Sequence, residues 1–189
     1  MSMSTDAVAP PVSPPPPQLQ MVWPEHLLAA PPAVVVPDGY VIRQFAEADF
    51  ADYQRLMAIA GFDGWTEART REAQSRILPR GFFEIEHHAT LALAATAQAT
   101  HNPIEQHPFG GELGWVAGDP AHKGRGLGAA VCAAATARLI AAGYENIYLR
   151  TDDFRLPAIR IYLKLGYVPF PYGDGMRERW AAVRSALRM

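Results

Sequence analysis

The run Pro120-Ala-His-Lys-Gly-Arg-Gly-Leu-Gly128 sets glycines at alternate positions, 124, 126 and 128, between the apolar stretch Leu113-Gly-Trp-Val-Ala117 and an Ala-rich, helix-forming segment. Glycine permits tight turns in which consecutive backbone N–H groups converge on one anion, and the positive end of a following helix adds to the attraction. A strand, a glycine loop and a helix N-terminus in that order suit a pyrophosphate. Lys123 and Arg125 bring positive charge beside the amides of Gly124, Arg125, Gly126, Leu127, Gly128 and Ala129. Spacing tests two familiar phosphate loops. The pattern GxxxxGK[ST] fails, because His122 precedes Lys123 and Gly124 follows it. The dinucleotide fingerprint GxGxxG is met only in its permissive form, by Gly124, Gly126 and Ala129.

A second constellation lies about thirty residues downstream, Leu149-x-Thr151-x-x-x-Arg155-x-x-Ala158-Ile-Arg-Ile-Tyr162-Leu-Lys-Leu-Gly166-Tyr167. It resembles the second signature of the GNAT N-acetyltransferase superfamily, a strand leading into a helix that ends in Tyr-x-x-x-Gly-Phe. Lys123 to Gly128 resembles that family's acetyl-CoA loop, [QR]xxGx[GA], with Lys123 where Gln or Arg is usual. The resemblance is strong over residues 112–170 and extends from about residue 39. It implies a single α/β (α+β) domain with a central mixed, twisted sheet of six or seven strands flanked by helices. Two parallel strands of that sheet splay apart, and the pantetheine arm of acetyl-CoA enters between them.

The resemblance also implies roles. Tyr162 stands where the family has a tyrosine that protonates the departing sulfur; a phenol stays protonated at neutral pH and can serve. Its spacing with Ala158 and Leu165 equally allows a buried aromatic. Glu112 begins the strand leading into the loop, where family members often carry a carboxylate, and could take the amine's proton through a water; a solvated strand-end acid is the plainer reading. Backbone N–H groups of Val116, Ala117 and Gly118 are the candidate oxyanion donors. Arg155, where the family commonly has Asn, is assigned to the neighbourhood of the cofactor. Transfer is expected to be direct, in a ternary complex of acetyl-CoA with a primary amine. No metal is assigned. The acceptor would be read by the segments 45–80, 101–111 and 171–178. Homodimerisation is a habit of the family.

Other polar residues carry less. His87 and His88 are consecutive, so on a strand they face opposite ways and at most one lines a site. His122 reads as a surface residue and Cys132 as core. Asp152 and Asp153 could attract a cationic amine or cap a helix. Two rival functions follow from the same loop. A CoA-sensing domain would keep the loop without needing Tyr162 or a carboxylate. A dinucleotide module would use Asp152 or Asp153 on a ribose, against which the Tyr162 to Tyr167 signature argues.

The elements that must position these residues are legible by pattern. Residues 39–45 alternate as a first strand; Phe50, Tyr53, Met57 and Ala60 share a helix face that Asp49 could cap, with Gly61 as its stop. A second helix is expected from Thr66 to Leu78, ended by Pro79, then strands at 81–87 and 90–100 and a loop at 101–111. From Glu112 the order is strand, loop, helix (127–142), strand (146–151), helix (156–165), strand (167–170), which predicts parallel pairing across crossover helices. A C-terminal helix over 176–189 stands where family members more often have a strand. Residues 1–20, with Pro10, Pro11 and Pro14 to Pro17, read as a disordered Pro-rich leader; 21–38 as an extended arm with one short helical turn; and 39–189 as the acetyltransferase domain.

With 189 residues, 49% of them hydrophobic, one well-filled domain is expected. A net charge of −2 and no Lys/Arg block give no field for nucleic acid or an anionic membrane. One cysteine, no apolar run of membrane-spanning length and no basic-then-apolar N-terminus lead to an expectation of a soluble cytoplasmic enzyme.

Overall fold

The stretch Ala95-Thr-Ala-Gln-Ala-Thr100 alternates small apolar and polar residues, the period of a strand with two different faces. In the computed structural model, which describes residues 16–62 and 64–188, it lies in the middle of the sheet. In chain order the elements are β1 (Leu19–Val22), β2 (Tyr40–Gln44), α1 (Phe50–Ile59), α2 (Glu67–Gln74), β3 (Ile77–His87), β4 (Leu93–His101), β5 (Gly111–Gly118), α3 (Leu127–Ala141), β6 (Ile147–Thr151), α4 (Leu156–Leu165), β7 (Val168–Phe170) and α5 (Met176–Leu187). Short 3-10 turns sit at Glu25–Leu27, Glu47–Asp49 and Pro120–His122.

Seven strands form one mixed sheet in the order β2-β3-β4-β5-β6-β1-β7. β5 and β6 are parallel, joined by α3, and the other neighbouring pairs are antiparallel. On one face Ala95, Ala97 and Ala99 of β4 meet Val131, Ala135 and Leu139 of α3, small residues that let helix and sheet approach closely. On the other, Tyr53, Leu56 and Met57 of α1 pack with Phe82, Leu93 and Ala117. Two polar residues of that second face bond locally, Thr96 Oγ1 donating to Phe83 O at 2.9 Å and Gln98 Nε2 to Tyr53 Oη at 3.0 Å, while Gln98 Oε1 is buried without a partner among the described residues.

The expected order of elements from residue 39 onward holds, with two corrections. The second helix stops at Gln74, four residues before the expected end. β3 already begins at Ile77 and carries Pro79 through a break in its register between Ile77 and Phe82, where no ladder donor is required. Asp49 precedes α1 without capping it; its carboxylate instead accepts from Ala46 N at 2.7 Å and pairs with Arg43.

The N-terminal arm differs more. The first fifteen residues of the Pro-rich leader lie outside the described residues, but the boundary at residue 20 is misplaced. Leu19, Gln20 and Met21 are buried in β1, which runs antiparallel between β6 and β7. β6 and β7 are therefore not neighbours, as a simple crossover unit would make them. Chain order hides this, because β1 meets partners well over a hundred residues away, Leu19 opposite Thr151 and Gln20 opposite Phe170. The C-terminal segment forms the helix α5 and contributes no strand to the sheet among the described residues. Buried His107 clamps β1: its ring stacks on Tyr148 at 4.2 Å, Nε2 meets Gln20 Oε1 at 2.9 Å and Nδ1 meets Asn146 Oδ1 at 2.9 Å. Burial lowers the imidazole's affinity for a proton.

Candidate active site at the β5–β6 fork

β5 and β6 pair only at Gly111 with Ile147 and Glu112 with Tyr148, although both strands continue beyond. Past that fork they part, and a cavity of about 280 Å³ opens between them. Gln18, Glu112, Val116, Asp152, Arg155 and Tyr162 are among its lining residues. β5 also breaks register against β4: Thr96 faces Ala117 while Gln98 faces Gly114, so three steps of β5 oppose two of β4. Trp115 in this bulge has φ of 51°, a left-handed conformation that a tryptophan adopts only where its surroundings enforce it. The bulge takes Trp115 and Val116 out of the ladder and leaves the Val116 side of β5 facing the cleft. Ala117 and Gly118 are back in register with Thr96 and Ala95, and the Ala117 side chain packs toward α1.

The loop after β5 leaves a row of backbone amides without acceptors among the described residues. Asp119 caps the 3-10 turn by accepting from Ala121 N at 2.9 Å. Gly124 and Gly126 then take φ of 82° and 84°, turning the chain into α3, whose first internal bond is Ala130 N to Gly126 O. The N–H groups of Gly124, Arg125, Gly126, Leu127, Gly128 and Ala129 have no acceptor among the described residues. That orphaned row fits a pyrophosphate, and Lys123 and Arg125 are exposed beside it. Leu127 is buried and anchors the turn. Gly128 departs from its expected part in the turn: it is helical, and its missing Cβ leaves room for Ile161 Cδ1 of α4, 2.9 Å from where that atom would lie.

Tyr162 is 5% exposed and has no hydrogen-bond partner among the described residues; burial raises its pKa well above the ordinary phenol value, so the hydroxyl keeps its proton. Glu112 is not a solvated strand-end acid. It is buried, Arg150 Nε donates to its Oε1 at 2.7 Å, and Arg150 Nη2 and Asn102 Nδ2 donate to its Oε2 at 3.2 and 2.6 Å. Arg155 lies at the start of α4, its guanidinium over Phe62 at 4.7 Å and Phe154 at 5.4 Å, with Nε donating to Asp152 Oδ2 at 3.1 Å. Asp153 is engaged by Arg179. Both acids that a dinucleotide module would offer a ribose are therefore paired. Cys132 is buried and burial pushes its thiol up, as a core residue. Tyr40 Oη and His122 Nδ1 are 2.7 Å apart, and the His122 ring packs at a tilt against His87, centroids 5.1 Å apart, rather than standing free.

A family described as "Acetyltransferase (GNAT) family" matches residues 43–167. The chain belongs to the GNAT acetyltransferase family, which uses acetyl-CoA as cosubstrate. Among curated proteins, the mycothiol acetyltransferase of Nocardia farcinica is 35% identical over 153 residues, 75% of this chain and 50% of that protein. Among solved structures, a GCN5-related N-acetyltransferase from Kribbella flavida superposes with a TM-score of 0.53 at 27% identity, over 81% of this chain and 54% of that one. A tandem GNAT protein from the clavulanic acid biosynthesis pathway shares the fold, with a TM-score of 0.55 at 20% identity over 82% of this chain and 50% of that one. The chain spans about half the length of the curated relatives it matches.

Sequence reasoning missed Asn102 and Arg150, which hold Glu112, and Arg69 and Arg76 of the adjoining wall. A signal existed. Arg69, Glu72, Ala73 and Arg76 fall at i, i+3, i+4 and i+7, one stripe of a polar helix, and Arg150 interrupts the apolar strand Ile147-Tyr-Leu149.

Proposed function

We propose that this GNAT protein transfers an acetyl group from acetyl-CoA to a primary amine by direct attack in a ternary complex. The observation that carries the reading is one cleft at the fork, lined together by Glu112, Val116, Arg155 and Tyr162, with six orphaned amides on the loop that follows the same strand. Acetyl-CoA, when bound, supplies the acetyl group activated as a thioester. The amides of Gly124 to Ala129 bind its pyrophosphate, with Lys123 and Arg125 as flanking cations. Backbone N–H groups in the segment Val116 to Gly118, led by the bulge residue Val116, stabilise negative charge on the carbonyl oxygen. Tyr162 holds at its Oη the proton that the departing sulfur takes. Glu112, oriented by Arg150 and Asn102, receives the proton of the acceptor amine through a water. Arg155 orients the chain's side of the cleft between Phe62 and Asp152.

A cytoplasmic setting and homodimerisation belong to the same proposal, and sedimentation of the purified chain reads the second. The name of the curated relatives makes mycothiol-type compounds part of any acceptor screen. The test is titration with acetyl-CoA and with NAD, followed by thiol release in the presence of amines. Saturable binding of acetyl-CoA alone, with amine-dependent thiol release, is expected. Tyr162→Phe should lower turnover about 100-fold with acetyl-CoA affinity little changed. Binding without thiol release for any amine would favour the non-catalytic CoA-binding reading, and binding of NAD alone the dinucleotide module.

A further inference from the structure

A second cavity, of about 290 Å³, adjoins the cleft and shares Arg69, Glu112, Trp115 and Arg150 with it. Its outer wall is the stripe of α2 carrying Arg69 and Glu72, continued by Arg76 just past the helix end. Six arginines, Arg43, Arg55, Arg71, Arg150, Arg155 and Arg179, each ion-pair with a carboxylate. Among the described residues Arg69 and Arg76 have no such partner. The exposed Arg69 guanidinium lies over the rings of Trp65 and Trp115, at 5.2 and 5.8 Å, and its N–H groups have no acceptor among the described residues. Arg76 Nη1 donates to Asn102 Oδ1 at 3.0 Å, and Asn102 in turn donates to Glu112. Arg150 and Glu112 neutralise each other, so two unpaired cations and one free carboxylate, Glu72, remain to set the charge of the cavity. Its field favours an anion. Its volume, at the low end for ligand pockets, favours a small molecule.

We propose that this cavity is the acceptor site and that Arg69 and Arg76 select a small amine bearing an anionic group, a carboxylate or a phosphate. The proposal rests on the acetyl-transfer reading above. One amide side chain, Asn102, separates Arg76 from Glu112, so the anion sits a short molecule's length from the amine that Glu112 serves. Planar guanidinium edges suit both oxyanions. The two sources are separated by matched pairs.

The experiment compares an α-amino acid with its amide, and phosphoethanolamine with ethanolamine, by thiol release at saturating acetyl-CoA. At least one anionic member should exceed its neutral counterpart at least about tenfold in kcat/KM. Preference within the first pair alone assigns a carboxylate, and within the second alone a phosphate. Arg69→Ala and Arg76→Ala should bring the ratio toward one, whereas Arg71→Ala, on the same helix but paired with Glu47, should keep it. Equal use of both members of each pair, use of neither beside other active amines, or a ratio unmoved in Arg69→Ala and Arg76→Ala, overturns the proposal. If no amine releases thiol, acetyl transfer itself fails. The anion site is then judged by calorimetry with inorganic phosphate in the presence of CoA, which fills the glycine loop: heat lost in Arg76→Ala supports it, and no heat in the unaltered protein overturns it.

Discussion

At the scale of single residues, the most consequential finding outside the cleft is Glu84. Its position in Gly81-Phe-Phe-Glu-Ile-Glu-His87 reads as an ordinary alternating strand, yet it is fully buried, bonded on one side to Arg43 Nη1 at 3.0 Å, with Oε1 unpartnered. Burial first, and then the neighbouring negative charge of Asp49, push its pKa up from 4.5 to about 8, against a weaker opposing pull from Arg43. The folded chain thus keeps a proton that the unfolded chain releases. Stability from this group is full below about pH 4.5 and declines as pH rises to about 8, by at most about 1.4 kcal/mol per pH unit. Glu84→Gln should flatten that decline, read as chemical-denaturation midpoints between pH 5 and 8 relative to the unaltered protein; parallel curves would show Glu84 ionised in the fold. Tyr162 follows the same rule: burial disfavours a phenolate, so its hydroxyl keeps its proton.

At the scale of elements, β1 decides how the second half of the sheet closes. Four residues supply hydrogen bonds to both β6 and β7, and Leu19 and Met21 put fully buried side chains into the main core. Met21→Ala should cost on the order of 2–5 kcal/mol, the range for emptying a buried apolar site, and lower the urea midpoint accordingly. An unchanged midpoint would mean β1 is docked too loosely to define the sheet. The bulge in β5 is the other decisive element, because it turns one face of a strand toward two cavities at once: Trp115 lines both.

At the scale of the molecule, two hydrophobic clusters lie on opposite faces of one sheet, and the fork of β5 and β6 interrupts that sheet between strands contributing to the main core. A ligand entering the fork and the loop binds only the folded chain, so it must stabilise it. At about one hundred times its dissociation constant acetyl-CoA should add roughly 2.7 kcal/mol, a shift in melting temperature of a few degrees that NAD does not produce. The shift should be lost in Gly126→Val, whose side chain would force a left-handed position and crowd the anion cradle, while the unliganded fold persists. A full shift in that variant would place the cofactor elsewhere.

The residues that announce the loop and the α4 signature are contiguous in the chain, and local geometry determines them: alternate glycines, a helix start, a tyrosine four residues before Gly166. So the family, the order of elements from residue 39 and the glycine turn into α3 were legible from sequence alone. Three features were decided only by tertiary structure. The burial of Glu112 depends on Arg150 and Asn102, brought from another strand and a loop; the place of β1 depends on partners in the last third of the chain; and Arg69 and Arg76 are without a carboxylate partner among the described residues because the fold brings none within reach. Pattern and propensity act over a few residues, whereas pairing, desolvation and charge balance are set by whichever distant groups the folded sheet brings together.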